Sequence, residues 1–344
     1  MKISSRDEGF VRILGRFDKK DDGVTLNWTG SGLETMVKGS YLEVEIEAEY
    51  HTMRPYVSFI VDGLTAQTFA PLPGRHIYTA FYHLNPEKAH PIRVILETQL
   101  FMGDAKAVIH SLNTDGEFIK PKDKRIKIEF VGDSITSGEG CRGPVDFQEW
   151  VPMMFSASEN YANYASQALN AQYQAVSISG WGVKCAWNND PACRIPRIYE
   201  EIAADGKPYD FTFDPDYVVV ALGTNDYNAL YQPAYVHPET GEVSRFDQEQ
   251  IPDFLDRAKD FIGLIHKRNP RAKIVWISFF ENTPLTDALD SAAEAARREG
   301  IPALHASVLN LKKPIRGGMG SRQHPGVVAH KRIARELVKL IKKA

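Results

Sequence analysis

Residues 126–140 read IKIEFVGDSITSGEG, an alternating β-branched run that halts at Gly132 and delivers Asp133-Ser134 into a turn of small residues. A serine hydroxyl is a weak nucleophile at neutral pH; it needs a base for its proton and donors for the oxyanion that its attack creates. GDSITSG lacks the Lys-Ser/Thr ending of a phosphate loop and does not match the G-x-G-x-x-G dinucleotide fingerprint. It also departs from the G-x-S-x-G elbow, because Thr136 stands where the second glycine belongs. Two further stretches supply donors. VSISGWG places Gly180, and VVVALGTND places Asn225, just past the ends of strand-like runs. A glycine exposes its backbone N–H to close approach, and an asparagine offers a side-chain amide. Among the ten histidines, His324 in GSRQHPGVVAH falls in a loop ahead of the last helical run, whereas His330 is expected on that helix's solvent face.

These residues need a scaffold, and the chain has two rhythms. Up to about residue 115 it consists of short alternating runs broken by Gly, Asp, Asn and Pro, among them YLEVEIEAEY, YVSFIVDG and PIRVILET, with no convincing helix. Period-two alternation with such breaks is the pattern of an antiparallel sandwich. The polar, Gly- and Pro-bearing stretch NTDGEFIKPKDK contains the boundary. The expected division is a β-sandwich over 1–115, a linker over 116–124 and an α/β domain over 125–344. In the second half, the strand-like runs IKIEFVG, YQAVSIS, YVVVALG and KIVWISFF alternate with helical stripes, including Phe254, Leu255, Ala258, Phe261, Ile262 and Ile265, and finally Ile333, Leu337, Leu340 and Ile341. Such alternation implies a parallel sheet with helices on both faces, and ligands outside the carboxyl ends of its strands. Ser134 lies just past the first of those ends.

With 41 basic and 44 acidic residues well mixed along 344, net charge −3, the chain offers no basic face for nucleic acid. It contains no run of about 20 apolar residues for a membrane span, and the opening MKISSRDEGFVRILGRFDKK lacks a secretory apolar stretch. A cytoplasmic protein is expected, or a secreted one if a leader has been removed. Cys141, Cys185 and Cys193 are too few for a disulfide framework and have no zinc-ligand spacing; they read as thiols, with a Cys185–Cys193 pair open only to an exported protein.

Together GDSITSGEG, SISGWG, GTND and the late QHP resemble, in order and spacing, the four blocks of the SGNH (GDSL-type) hydrolases. LGRFD, LNWTGSGLE and VKGSYLEVEIE resemble the jelly-roll module that precedes this domain in carbohydrate esterase family 2. The resemblance implies a three-layer, flavodoxin-like SGNH domain after an all-β jelly roll, and removal of acetyl groups from xylan, mannan and related saccharides. It implies Ser134 as nucleophile, His324 as base and then acid, and the Ser134 N–H, Gly180 and Asn225 as oxyanion donors, with neither metal nor cofactor. The implied partner is an acetylated oligo- or polysaccharide; oligomeric state is left open.

One departure stands out. Relatives commonly carry an Asp two or three residues before the histidine, where this chain has Arg322 and Ser321. A backbone carbonyl of the same loop is expected to accept the His324 N–H instead, giving a Ser-His dyad, with the Arg322 guanidinium pointing away from the ring. Asp133 is expected to brace its turn through backbone amides. Flat rings that stack on a pyranose are sought in Trp181, Trp187, Tyr227 and Trp150, Trp181 first because it adjoins Gly180. Two other readings remain at this level: a carbohydrate-binding protein on an inactive scaffold, and an SGNH lipase or thioesterase for other acyl esters.

Overall fold

The computed structural model describes residues 1–18, 22–99, 101–311, 313 and 315–343. The first third folds as two antiparallel sheets facing one another. One has Lys2–Ser4, Ala105–Asn113, Leu42–Tyr50 and Gly74–Phe81 side by side, with Val24–Thr25 added to Ala105–Asn113. The other runs Glu117–Ile119, Gly32–Lys38, His90–Leu96, Val57–Val61 and Leu64–Phe69, with Arg12–Leu14 added to Gly32–Lys38. Alternation in Leu42–Tyr50 sends Leu42, Val44, Ile46 and Ala48 into the shared core and leaves the glutamates between them outside. Residues Glu117–Ile119, inside the expected linker, pair with Met36–Lys38, so sheet pairing continues further than the polar composition of that stretch suggests.

The remainder is a five-stranded parallel sheet in the order Ala171–Ser177, Ile126–Gly132, Tyr217–Ala221, Lys273–Ser278, Ala303–Ser307. The last of these strands, ALHAS, was not among the expected runs; it is an edge strand with only intermittent burial, which leaves no alternation to read. Central strands send alternate residues into two cores. Val218, Val220 and Trp276 pack with helices Ile251–Arg268 and Pro284–Arg298; Val219, Ala221 and Val275 pack with helices Tyr161–Ala168 and Val327–Lys343. This is the expected three-layer arrangement, and no helix among the described residues is long and apolar enough to cross a membrane. The three cysteines are free thiols.

His330 is fully buried, contrary to the solvent-facing placement expected for it. In the last helix, Val327–Lys343, residues 329, 330, 333, 334 and 337 share the inward face by their three- and four-residue spacing. There the ring stacks on Tyr161, and its Nδ1 accepts the Tyr161 backbone N–H at 3.1 Å. Burial, with His324 as a second cause, pushes its pKa down to about 3, so the ring is neutral.

The sandwich and the α/β domain share side chains. Trp28 of the sandwich is fully buried in the core on one side of the parallel sheet, and its Nε1 donates to the Ile202 carbonyl at 2.6 Å. Arg16, also fully buried, pairs with Glu129 of the strand that leads to Ser134 at 3.0 Å and lies against the rings of Tyr199, Tyr209 and Phe211. Glu129 accepts further bonds from Gln174 and the Tyr199 hydroxyl, both at 2.6 Å. Removing one member of a buried pair strands the other's charge in a dry site. Arg16→Met is therefore expected to lower unfolding stability by about 3–5 kcal/mol in guanidinium denaturation; a loss below about 1 kcal/mol would mean that Glu129 is satisfied without its cation.

Candidate active site

The first two neighbours of the sheet's leading strand lie on opposite sides of it, so the chain changes direction where Ile126–Gly132 meets Tyr217–Ala221. A crevice opens at such a switch point beyond the carboxyl ends. Ser134 and Asn225 sit past those two ends, each at the start of a short helix, Ser134–Ser137 and Thr224–Ala229. Asp133 caps the first helix: its Oδ1 accepts the Ile135 N–H at 3.0 Å, the bracing role expected of it. Thr136 and Ser137 then bond Tyr161 and Ser177, at 2.8 and 2.9 Å, which fixes the turn from both flanks.

His324 reaches this turn from the other end of the chain. Its Nε2 lies 2.8 Å from Ser134 Oγ, and its Nδ1 lies 2.8 Å from the Arg322 carbonyl oxygen. A carbonyl can only accept, so Nδ1 carries the proton and Nε2 presents its lone pair to the hydroxyl. The loop achieves this by placing two consecutive residues, Arg322 and Gln323, at φ 54° and 59°, which folds the 322 carbonyl back beneath the ring. Backbone bonds hold the conformation: Ser321 N–H donates to the Gly140 carbonyl and Arg322 N–H to that of Phe147, both at 3.0 Å. Gly140, at φ +70°, must be glycine, since a Cβ there would come within 2.4 Å of the Ser321 oxygen and 2.9 Å of His324 Cβ.

Among the described residues no side-chain carboxylate hydrogen-bonds His324. The nearest, Glu139 Oε1, is 3.9 Å from Nδ1 and 3.5 Å from the Arg322 guanidinium, and Glu139 is buried. It lies five residues after Ser134, not just before His324, and the GEG of the first block was its only trace in the sequence.

On the opposite flank Gly180 adopts φ +82°, and a Cβ would meet Trp187 Cδ1 at 3.0 Å, so both conformation and space call for glycine. Among the described residues, neither the Ser134 nor the Gly180 backbone N–H donates to any protein group. Asn225 is differently placed from the expectation of a free donor: its Nδ2 donates to the Trp181 carbonyl at 2.9 Å and to Asp133 Oδ2 at 3.2 Å. The next residue, Asp226, is buried and accepts the N–H groups of Val183, Lys184 and Cys185 at 2.9, 2.7 and 3.3 Å, tethering the loop that follows Gly180. Sequence reasoning missed this residue, for which the D of GTND was the only signal, and it missed Gln99 of the sandwich, whose Oε1 accepts the Ser179 N–H at 2.7 Å.

The four aromatic candidates divide. Trp187 is 49% exposed and adjoins Gly180, to whose carbonyl its backbone N–H donates at 3.0 Å. Trp181 is half-buried against the core. Tyr227 stacks on Phe280 at 5.1 Å, and Trp150 makes edge contacts with Phe101 and Phe155 at 5.9 and 6.1 Å. The most open ring is thus Trp187, not Trp181.

Residues 130–314 match the GDSL-like lipase/acylhydrolase family, and residues 13–121 match the carbohydrate esterase 2 N-terminal domain. An acetylxylan esterase / glucomannan deacetylase of Cellvibrio japonicus is 24% identical over 338 residues, 95% of this chain and 87% of that protein. The cellulase/esterase CelE of Acetivibrio thermocellus is 28% identical over 230 residues, and the aligned part covers 65% of this chain but only 28% of CelE. Among solved structures, the acetyl xylan esterase Est2A from the rumen bacterium Butyrivibrio proteoclasticus superposes with TM-score 0.94 at 30% identity, covering 100% of this chain and 98% of that one. A family two carbohydrate esterase from Clostridium thermocellum, solved with cellohexaose, shares the fold at TM-score 0.83 and 23% identity, covering 97% and 98% of the two chains.

Burial, then the nearby Asp226 and Glu139 charges, pushes the Asp133 carboxyl up to about 7 against its Ile135 bond. Between about pH 4 and 7 the folded state thus holds a proton that the unfolded chain has released, so this group's contribution to stability falls as pH rises. The neutral His330 acts in the opposite sense, because the unfolded chain binds its proton between about pH 3 and 6.5. A difference curve separates them. Wild-type minus Asp133→Asn unfolding free energy is expected to fall between pH 4 and 7, by at most about 1.4 kcal/mol per pH unit, and to be flat on either side. A difference that does not vary with pH would mean that Asp133 is ionised in the fold.

Proposed function

The chain belongs to the GDSL-like lipase/acylhydrolase family and carries a carbohydrate esterase 2 N-terminal domain, and on that premise we propose that it is a serine esterase that removes O-acetyl groups from acetylated xylan- or mannan-type saccharides. The observation that carries the reading is the tautomer: with Nδ1–H spent on the Arg322 carbonyl, the lone pair of Nε2 faces Ser134 Oγ at 2.8 Å. The hydroxyl proton passes to Nε2 as Oγ bonds to the acetyl carbon, and the carbonyl π pair moves onto oxygen. The oxyanion is met by the N–H groups of Ser134 and Gly180, and by Asn225, which shares the hydrogen of its longer bond to Asp133. Collapse expels the sugar oxygen, which takes the proton from Nε2 and leaves acetyl-Ser134. Water then repeats the sequence and releases acetate.

Ser134 and His324 thus act as a dyad. The carbonyl sets the tautomer, and Glu139 lies 3.9 Å from Nδ1 without bonding it. Small-acyl, sugar-leaving chemistry is supported by the names borne by the relatives from Cellvibrio and Butyrivibrio, and by the exposed Trp187 indole next to Gly180, a flat apolar surface for a pyranose.

Acetate release from acetylated xylo- and manno-oligosaccharides tests the proposal. Ser134→Ala and His324→Ala are each expected to cut kcat by roughly 10⁴–10⁶-fold, and acetyl esters are expected to outpace octanoyl esters. No release by the wild type would favour a glycan-binding role for an inactive scaffold, and an octanoyl preference would favour a lipase.

A further inference from the structure

The sandwich ends its strand His90–Leu96 in the triplet Glu97-Thr98-Gln99, all three buried. This triplet grips the α/β domain at two places. Glu97 accepts the Ser158 N–H at 2.9 Å, Ser156 Oγ at 3.2 Å and Arg142 Nη2 at 3.3 Å, and its carbonyl accepts the Ala157 N–H at 3.1 Å. Ser156 in turn donates its N–H at 3.0 Å to the carbonyl of Gly138, the residue that closes the helix begun by Ser134. Two residues along, Gln99 Oε1 accepts the Ser179 N–H at 2.7 Å. Ser179 immediately precedes Gly180, and its own hydroxyl is buried with no partner among the described residues, as is that of Thr98. The Gln99 amide oxygen thus holds the backbone on the side entering the left-handed turn at Gly180, while Asn225 holds the Trp181 carbonyl on the side leaving it.

We propose that Gln99 is a positioning residue for the oxyanion loop, so that the β-sandwich, through residues 97–99, is a working part of the esterase site and not an appended module. The inference rests on the esterase reading for its catalytic half. Oxyanion donors act through placement, and displacement of a reacting group by about 1 Å costs on the order of 100-fold. In the proposed reading ground-state binding of the sugar rests on the Trp187 ring and not on the oxyanion donors themselves, so the larger effect is expected in kcat.

Gln99→Met keeps the length and volume of the side chain and removes its strong acceptor. With acetylated xylo-oligosaccharide, kcat is expected to fall about 10- to 100-fold with KM within about twofold of wild type, and the Ser179 amide is expected to exchange with deuterium at least about tenfold faster. Trp28→Phe, which breaks the bond to Ile202 in the same interface, serves as the control: it is expected to lower Tm while kcat is kept. Equal kcat in the Gln99 and Trp28 variants, or an unchanged Ser179 exchange rate in Gln99→Met, would overturn the proposal. If the wild type released no acetate the esterase reading would fall on its own account, and Ser179 exchange would still decide whether Gln99 holds the loop.

Discussion

A hydroxyl at residue 134 and an imidazole at residue 324 stand 2.8 Å apart, and the rest of the molecule is arranged to keep them there. Neither group can hold the other, because one hydrogen bond contributes only about 1 kcal/mol net, far less than the entropy of ordering the loops that carry them. The position of each is imposed from behind. The serine is fixed by a helix of four residues capped by Asp133 at one end and left-handed Gly138 at the other. The imidazole is fixed by two left-handed residues, by backbone bonds to Gly140 and Phe147, and by a glycine whose missing Cβ leaves room for the ring. The nucleophile block and the histidine loop are thus two halves of one packed unit, although 190 positions separate their key residues.

The same constraint explains why two domains share one interior. An isolated parallel sheet would leave the loops at its carboxyl ends exposed on one side. Here the sandwich covers them, with Trp28 in the core of the α/β domain, Arg16 against the central strand, Thr29 on the Ser137 carbonyl at 3.2 Å and Gln99 on Ser179. Three of these contacts, from Arg16, Thr29 and Gln99, reach the strand, the helix and the loop around Ser134, while Trp28 anchors the interface away from it. Rigid-body drift between the domains would then move reactive groups, which gives a physical reason for a buried ion pair at a place where apolar packing would have been as stable.

The sequence carried more of the scaffold than of its seams. Parallel strands were legible because buried β-branched runs end at Gly132, at Leu222-Gly223 and at Ser177, and each end delivers a block residue within a few positions. The long helices were legible from their stripes. Ala303–Ser307 was not, because a half-buried edge strand has no alternation, and Glu117–Ile119 was not, because its pairing is set by a distant partner, not by its own composition. His330 was misplaced although it stands three residues before Ile333 of the apolar stripe, a spacing that puts both on one face of the helix. Gln99 and Glu139 belong to a different class of omission: a lone polar residue at the end of a strand has no pattern of its own, and only the folded chain shows what it faces.

The absence of an aspartate beside the histidine can be weighed in these terms. In serine proteases, replacing the orienting Asp costs about 10⁴ in turnover, roughly 5 kcal/mol, largely because the imidazole then holds the wrong tautomer. A backbone carbonyl cannot make that error, since it has no proton to donate, so in the proposed dyad the tautomer contribution survives intact. What is lost is a full negative charge in hydrogen-bond contact with the forming imidazolium. The nearest carboxylate among the described residues, Glu139, lies 3.9 Å from Nδ1 and makes no hydrogen bond to it. That carboxylate is engaged by the Arg322 guanidinium at 3.5 Å. In the proposed esterase the burden of rate falls accordingly on the oxyanion donors, and hence on the loop that the sandwich contacts through Gln99.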